Sequence, residues 1–209
     1  MIEATANVQQ THQPWNKGKV TGQQPPLKPR EVWAIRVCLQ IARRVRNLAL
    51  FNLAVDSKLR GCDLVRLRVD DVMLAGRHRP RAIVTQRRTG ATVQFEITEQ
   101  AREALMAWVA KAGLIHEEWL FPSRIDRCRP ITTRRYARLV DRWIESIGLP
   151  RAAYGTHSLR RTKATLIYRK TGNPRAVQLL LGHTKLESTV RYLGVEVADA
   201  LAISEGIDV

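Results

Sequence analysis

The stretch THSLRRTKATLIYRKTGNPRAVQLLLGHTKLESTVRY, residues 156–192, gathers residue types that handle phosphate. His157 and Arg160 stand three apart, a spacing that shares one face of a helix and lets both address one small anion. His183 follows Gly182, and Tyr192 lies nine residues further on. Nine residues are about two and a half helical turns, so an unbroken helix would set the imidazole and the phenol on opposite sides. The chain must bend between them. Gly182-His183-Thr184 is the natural bend, with Glu187 to Leu193 resuming as a short helix that carries the phenol back.

Breaking a phosphodiester needs a nucleophile, cations for the charge gathering on the nonbridging oxygens, and a proton for the departing oxygen. Arg60 and Arg160 suit the second task, because each stays charged and offers paired N–H groups to one phosphate. A free phenol titrates near ~10, so Tyr192 attacks poorly until cations or a base help remove its proton. His157 can accept that proton, and His183 can hold the phosphate or assist. Standing alone, Tyr192 would more often be a packed aromatic and His183 a capping residue. Their joint placement is what points to a site.

Charge narrows the partner. The 209 residues carry a formal charge of +16, and 27 of the 35 basic residues are arginine, whose planar fork matches phosphate oxygens. Nucleic acid is the expected partner, and the family resemblance given below implies double-stranded DNA. No long apolar run, signal peptide or basic tail beside an acylation site points to a membrane, so a soluble cytoplasmic protein associated with the nucleoid is expected. Cys38, Cys62 and Cys128 have neither disulfide nor zinc spacing, and Cys38 and Cys62 read as buried reduced thiols. The five histidines are scattered, so no metal is expected, and no serine sits in a Gly-x-Ser-x-Gly elbow.

The elements that must position these groups are mostly helical. Residues 1–29, rich in Gln, Thr, Pro, Gly and Lys and including WNKGK, read as a flexible or adhering arm. From Arg30 to Ser57 the apolar spacing (Val32, Ile35, Leu39, Ala42; Leu48, Phe51, Leu53, Val55) predicts two packed helices joined near Arg46 and Asn47. Lys58 to Gly61 breaks the pattern before a short helix from Cys62 to Leu67, which leaves Arg60 at a helix entrance where free N–H groups favour an anion. Arg81–Thr85 and Thr92–Ile97 predict a hairpin with Arg87 and Arg88 at its tip. Thr98 is placed to cap a helix over 99–112. Thr132 or Thr133 caps another to Ile147, with Tyr136, Leu139, Val140, Trp143 and Ile144 inward and Arg134, Arg135, Arg138 and Arg142 as an outer row facing a groove. Ser158 to Lys170 is a helix, and Asn173 with Pro174 opens the next. The fold class expected is mainly α with one small antiparallel β-sheet.

Three separated segments resemble one family. GTHSLRRTKAT (155–165) is similar to the His-x-x-Arg box of tyrosine recombinases, the phage integrase family, and LLLGHTKLESTVRYL (179–193) to its Leu-Gly-His segment followed by the nucleophilic tyrosine. DSKLRGCDLVRLRVDDV (56–72) resembles the segment carrying the first catalytic arginine, here Arg60. The resemblance covers residues 30–193 as a catalytic domain and implies the fold of DNA breaking-rejoining enzymes. It also implies a site-specific recombinase in which Tyr192 attacks the scissile phosphate, leaving a 3′-phosphotyrosine link and a free 5′-hydroxyl without cofactor. Arg60 and Arg160 would clamp the phosphate, with His157 and His183 completing the pocket. Arg161 and Lys163, beside that box, join Arg87 and the outer row as expected DNA contacts. Four-strand exchange implies a homo-tetramer on two sites, with accessory DNA-bending proteins as further partners. The tail 194–209, through Leu201 and Ile203, would dock on a neighbouring protomer or fold back on its own domain. Two departures stand out. The family's hairpin lysine, which protonates the leaving oxygen, aligns with Arg88, and a guanidinium above ~12 is a reluctant donor. Larger members also carry a helical domain ahead of the catalytic one, and in this the chain resembles the compact fimbrial-switch recombinases. The rival expectation is an architectural DNA-binding protein that keeps the fold without turnover.

Overall fold

The structure is a computed structural model and describes residues 24–74 and 77–193. Two helices come first, α1 (Pro29–Ile41) and α2 (Val45–Ser57). Val32, Ile35 and Leu39 form the buried stripe of α1, whereas α2 is buried on every side from Ala49 to Ser57, as a helix at the centre of a domain must be. The join falls three residues before the expected Arg46–Asn47. Backbone N–H groups of Ala42, Arg43 and Arg44 bond back to Cys38, Gln40 and Leu39, Arg43 takes a left-handed φ of 50°, and Ala42 is left exposed. Arg46 and Asn47 thus lie in the first turn of α2.

Two one-turn helices follow, α3 (Gly61–Leu64) and α4 (Val69–Val72), then a ribbon of β1 (Met73–Leu74) and β2 (Arg77–His78), too short to leave a periodic signal. The main hairpin pairs β3 (Arg81–Thr85) with β4 (Thr92–Glu96) antiparallel, in the register Ala82↔Phe95 and Val84↔Val93. The remaining helices are α5 (Glu99–Ala112), α6 (Thr133–Glu145), α7 (Thr156–Thr171), α8 (Pro174–Leu181) and α9 (Leu186–Leu193). In α6 the five expected inward residues are all buried, and Thr132 Oγ1 accepts the N–H of Arg135 at 3.1 Å. The helix stops at Glu145, two residues short of the expected Ile147. Trp143 of α6 meets Phe51 of α2 edge-on at 5.5 Å. A smaller apolar cluster of Ala164, Val177, Leu181 and Leu193 holds α7, α8 and α9 together, with Tyr192 at its margin.

Thr98 does not cap α5 with its side chain. It donates N–H (2.9 Å) and Oγ1 (2.6 Å) to Asp56 Oδ2 instead, because Asp56 is the hub of a buried ion network. Lys163 Nζ reaches Asp56 Oδ1 at 3.0 Å and Glu96 Oε1 at 2.5 Å, while Lys58 Nζ reaches the Asp56 carbonyl at 2.8 Å and Glu96 Oε2 at 3.5 Å. Lys58 is fully buried at a left-handed φ of 55°, a conformation of order 1 kcal/mol that these contacts hold in place.

The last residues of the expected arm are packed. Leu27 is buried, its N–H donates to Thr162 Oγ1 at 3.0 Å, and Pro29 already occupies the first turn of α1. WNKGK and the tail 194–209 lie outside the described residues. Cys38 and Cys62, expected to be buried, are only half-buried, and Cys128 is exposed. Among the described residues no helix is long and apolar enough to cross a membrane.

Candidate active site

Arg60, Arg88, His157 and Arg160 converge on one cleft of about 460 Å³, with Arg134 and Cys62 also lining it. Each is placed by a different element. Arg60 is the N-cap of α3, whose position is fixed by the buried Lys58 and Leu59 just before it. Arg88 is exposed on the β3–β4 turn. His157 and Arg160 project from the first turns of α7 on the shared face that their spacing predicted.

Gln86 ties these elements together, and the sequence reading missed it. Buried at the end of β3, it takes an Arg60 Nη1 hydrogen bond on Oε1, where Thr89 Oγ1 also donates (3.1 Å), and gives Nε2 to the carbonyl of Leu181 at 2.9 Å. Arg160 Nη2 donates to that same carbonyl at 3.0 Å. The Leu181 carbonyl thus ties Arg160 directly, and Arg60 through the Gln86 amide, to the C-terminal end of α8. The signal was available, since Ala82, Val84 and Gln86 share the inward row of the strand and a polar residue there must find buried partners. Arg87 N–H bonds Asp63 Oδ1 of α3 at 3.1 Å and docks the turn from its other side.

Beyond Leu181 the chain turns at Gly182, φ 66°, where a Cβ would lie 2.5 Å from Val93 Cγ1. Only glycine lets the end of α8 sit this close to β4. His183 follows, and α9 returns so that the Tyr192 ring meets the imidazole edge-on at 5.4 Å, the bend expected from their spacing. His183 Nδ1 pairs with Oγ1 of the buried Thr189 at 3.0 Å, a positioning contact that no motif singles out. Burial, reinforced by Arg160 and Arg60, pushes His183 down to about 4. Burial and the same arginines also lower His157, so both imidazoles are held in the neutral, proton-accepting form.

The phenol is enclosed by cations. The Arg161 and Arg160 guanidinium carbons lie 5.3 and 6.0 Å from the Tyr192 ring centroid. Burial pushes the phenol up to about 12 against the opposing pull of Arg160 and Arg161. Tyr192 Oη and Arg160 Nη1 are both buried and lack full hydrogen-bond geometry, yet the Arg160 side chain lies close enough to the phenol to favour its ionised form.

The residues read as DNA contacts separate into groups. Arg134 faces the cleft, whereas Arg135, Arg138 and Arg142 turn to the other flank of α6. Arg87 is exposed at the hairpin tip. Arg161, 7% exposed, packs on Tyr192, and Lys163 points into the ion network with Asp56 and Glu96, so the structure places neither on an open groove.

His183 and Tyr192 do not line that cleft; they stand behind Arg160, with Tyr192 packed on the α7–α9 cluster. A mostly helical domain that sets arginines and imidazoles around a phenol in this way defines a class, and the chain belongs to it: residues 27–198 match the phage integrase family. Among curated proteins it is 32% identical over 159 residues to the tyrosine recombinase XerC of Erythrobacter litoralis, an alignment covering 76% of this chain and 49% of that one. It is 26% identical over 151 residues to the probable integrase/recombinase YoeC of Bacillus subtilis, covering 72% and 78%. The chain spans about half the length of most of the tyrosine recombinases it matches. Its fold is shared with the XerA recombinase (TM-score 0.70, 20% identity, 87% of this chain and 64% of that one) and with the XerH recombinase solved on its difH substrate before cleavage (0.68, 21%, 88% and 55%).

Proposed function

We propose that the protein is a site-specific DNA recombinase in which Tyr192 is the nucleophile. Its phenolic oxygen forms a bond to the scissile phosphorus as the bond to the 5′ oxygen breaks, leaving a 3′-phosphotyrosine and a strand end that gains a proton to become a free 5′-hydroxyl. Arg60 and Arg160 hold the nonbridging oxygens, and neutral His157 takes the phenolic proton. His183 stays edge-on to the ring it positions. The reading is carried by Arg160, which joins the two parts of the site: it lines the cleft with Arg60 and His157, and its guanidinium lies beside the buried Tyr192 phenol. A phosphate held by Arg160 is the target of the phenol. The XerH recombinase and a lambda integrase fragment were both solved on DNA, which supports the duplex as substrate. Residues 30–193 act as the catalytic domain, four copies exchange strands across two sites with help from DNA-bending proteins, and the protein works on the nucleoid.

A nicked suicide duplex tests the reading. The wild type forms a covalent adduct that survives denaturation, and Tyr192→Phe forms none. Salt-sensitive, noncovalent complexes alone would identify instead an architectural DNA binder.

A further inference from the structure

The turn that carries His183 is braced from α8. Gln178, 3% exposed, donates Nε2 to the carbonyls of His183 (3.0 Å) and Thr184 (3.3 Å), and the His183 N–H returns to the Gln178 carbonyl at 3.1 Å. Those bonds set the backbone and leave the imidazole free to rotate about its side-chain bonds. The ring is held by α9 instead. Tyr192 meets it edge-on, and Thr189, three residues earlier on the same helix, meets its Nδ1.

The Thr189 hydroxyl is fully buried and has one proton to place. In α7 the hydroxyls of Thr162 and Thr171 give theirs to the carbonyl four residues back. Thr189 does not. Among the described residues its Oγ1 meets only His183 Nδ1, at 3.0 Å. Were the imidazole proton on Nδ1, it would point at Oγ1 and leave the hydroxyl proton buried with nothing to accept it. With the imidazole proton on Nε2, the hydroxyl donates to Nδ1 and both groups are satisfied. Nε2 makes no hydrogen bond among the described residues, so its proton is free for a ligand.

We infer that Thr189 is a positioning residue for strand transfer: by donating to Nδ1 it fixes the Nε2–H tautomer of His183 and makes that imidazole a hydrogen-bond donor toward the transferring phosphoryl group. The inference rests on the reading of Tyr192 as nucleophile. A neutral imidazole accepts a proton only at its bare nitrogen, and in His183 that nitrogen is taken by Thr189. The histidines therefore divide the work. His157 accepts the phenolic proton, and His183, whose ring feels the charges of Arg160 and Arg60, offers Nε2–H where those guanidinium groups hold phosphate.

Nitrogen-15 spectra of the full chain labelled at histidine read the tautomer, with the His183 signals assigned by their loss in His183→Asn. In the wild type at neutral pH, Nδ1 should appear as a bare nitrogen and Nε2 as an N–H. Thr189→Ser keeps the hydroxyl and should keep this pattern. Thr189→Val replaces the hydroxyl by a methyl of similar size and should give a mixture of tautomers. On the nicked suicide duplex Thr189→Val should form the adduct about 10- to 100-fold more slowly, the scale of losing a partner that orients a histidine. Thr189→Ser should stay close to wild type. Noncovalent affinity, read with Tyr192→Phe present, should match in all of these, because no charge has changed. Wild-type His183 protonated on Nδ1 overturns the proposal, and so does a Thr189→Val protein with wild-type tautomer or wild-type rate. Equal slowing in Thr189→Ser and Thr189→Val would mark a packing role and overturn it too. Should Thr189→Val not fold, the wild-type spectrum still decides. The tautomer is read without DNA, so the two readings fail separately. Nε2–H in a wild type that forms no adduct strikes strand transfer and leaves the tautomer assignment standing, whereas Nδ1–H in a wild type that forms the adduct strikes only the role of Thr189.

Discussion

Two clusters of charge meet at the same five residues of chain, 56 to 60, and they are built by opposite rules. On one side, Asp56 and Glu96 face Lys58 and Lys163 with every carboxylate oxygen engaged, and Thr98 supplies two further donors. On the other, Arg60, Arg160 and Arg161 crowd Tyr192 with one nearby carboxylate, Asp63, whose Oδ1 is committed to the hairpin. The first cluster is complete within the fold and serves as scaffold. The second holds more positive than negative charge, and Arg160 Nη1, Tyr192 Oη and Asp63 Oδ2 within it are buried without full hydrogen-bond geometry among the described residues. Charge alone does not distinguish site from support here. Compensation does.

The sharpest way to break this comparison is to remove one residue from each cluster and read both rate and stability. Arg60→Gln deletes a donor aimed at developing charge and should lower adduct formation by about 10²- to 10³-fold. Its folding free energy should not fall, because one of several like charges has gone. Asp56→Ala strands Lys163 beside Glu96 and leaves Thr98 unpaired, which should cost about 3–5 kcal/mol in urea denaturation. Below its melting transition the remaining folded enzyme should cleave within a few-fold of wild type. An Asp56→Ala protein of normal stability, or an Arg60→Gln protein that unfolds as readily as Asp56→Ala, would erase the distinction between support and site.

That distinction also marks what could be read without coordinates. Periodicity and turn chemistry were enough for the helices, the hairpin and the bend at Gly182, because those depend on neighbours along the chain. His157, Arg160, His183 and Tyr192 were legible for the same reason, lying within one stretch of 37 residues. Asp56 was not, since it matters through partners far away in sequence such as Lys163, and Gln86 could be read as a polar residue on an inward row but not matched to its distant partner Leu181. Lys163 shows the converse case. A lysine close to Arg160 reads as a phosphate ligand, and the fold brings two carboxylates, from α2 and β4, to it.

Acid should dismantle the two clusters in different windows. Burial holds His183 at about 4 and lowers His157, so the unfolded chain, with imidazoles near about 6.5, binds more protons than the fold in between. Stability from this source is complete above about 6.5 and is lost as pH falls toward about 4. Burial would raise Glu96, but the hydrogen bond from Lys163 and the charge of Lys58 hold it below the usual carboxyl range. Its contribution is present above about 4.5 and disappears only as pH falls through that lower value. Urea midpoints measured across both windows should show His183→Asn flattening the upper decline and Glu96→Gln altering the lower one. A His183→Asn slope identical to wild type would mean that the imidazole is not held neutral by the cleft.

The smallest expected effect concerns Arg88, which by the family resemblance stands in the place of a lysine. It is exposed at the tip of the hairpin and lines the cleft beside Arg60. A guanidinium stabilises charge there but releases a proton reluctantly, and on the proposed mechanism water or another group would protonate the leaving oxygen. Arg88→Lys keeps the charge and adds a donor of lower pKa, and should raise the cleavage rate by about 10-fold, below the usual range for a well-placed acid. DNA affinity and its salt slope should not change, since the charge count is the same. A substrate with a 5′-thio leaving group separates the possible causes, because a thiolate departs without needing a proton. The advantage of Arg88→Lys should vanish on that substrate. If it persists, or if Arg88→Lys is no faster on the ordinary duplex, the hairpin acts through charge alone and the cleft has adapted to arginine.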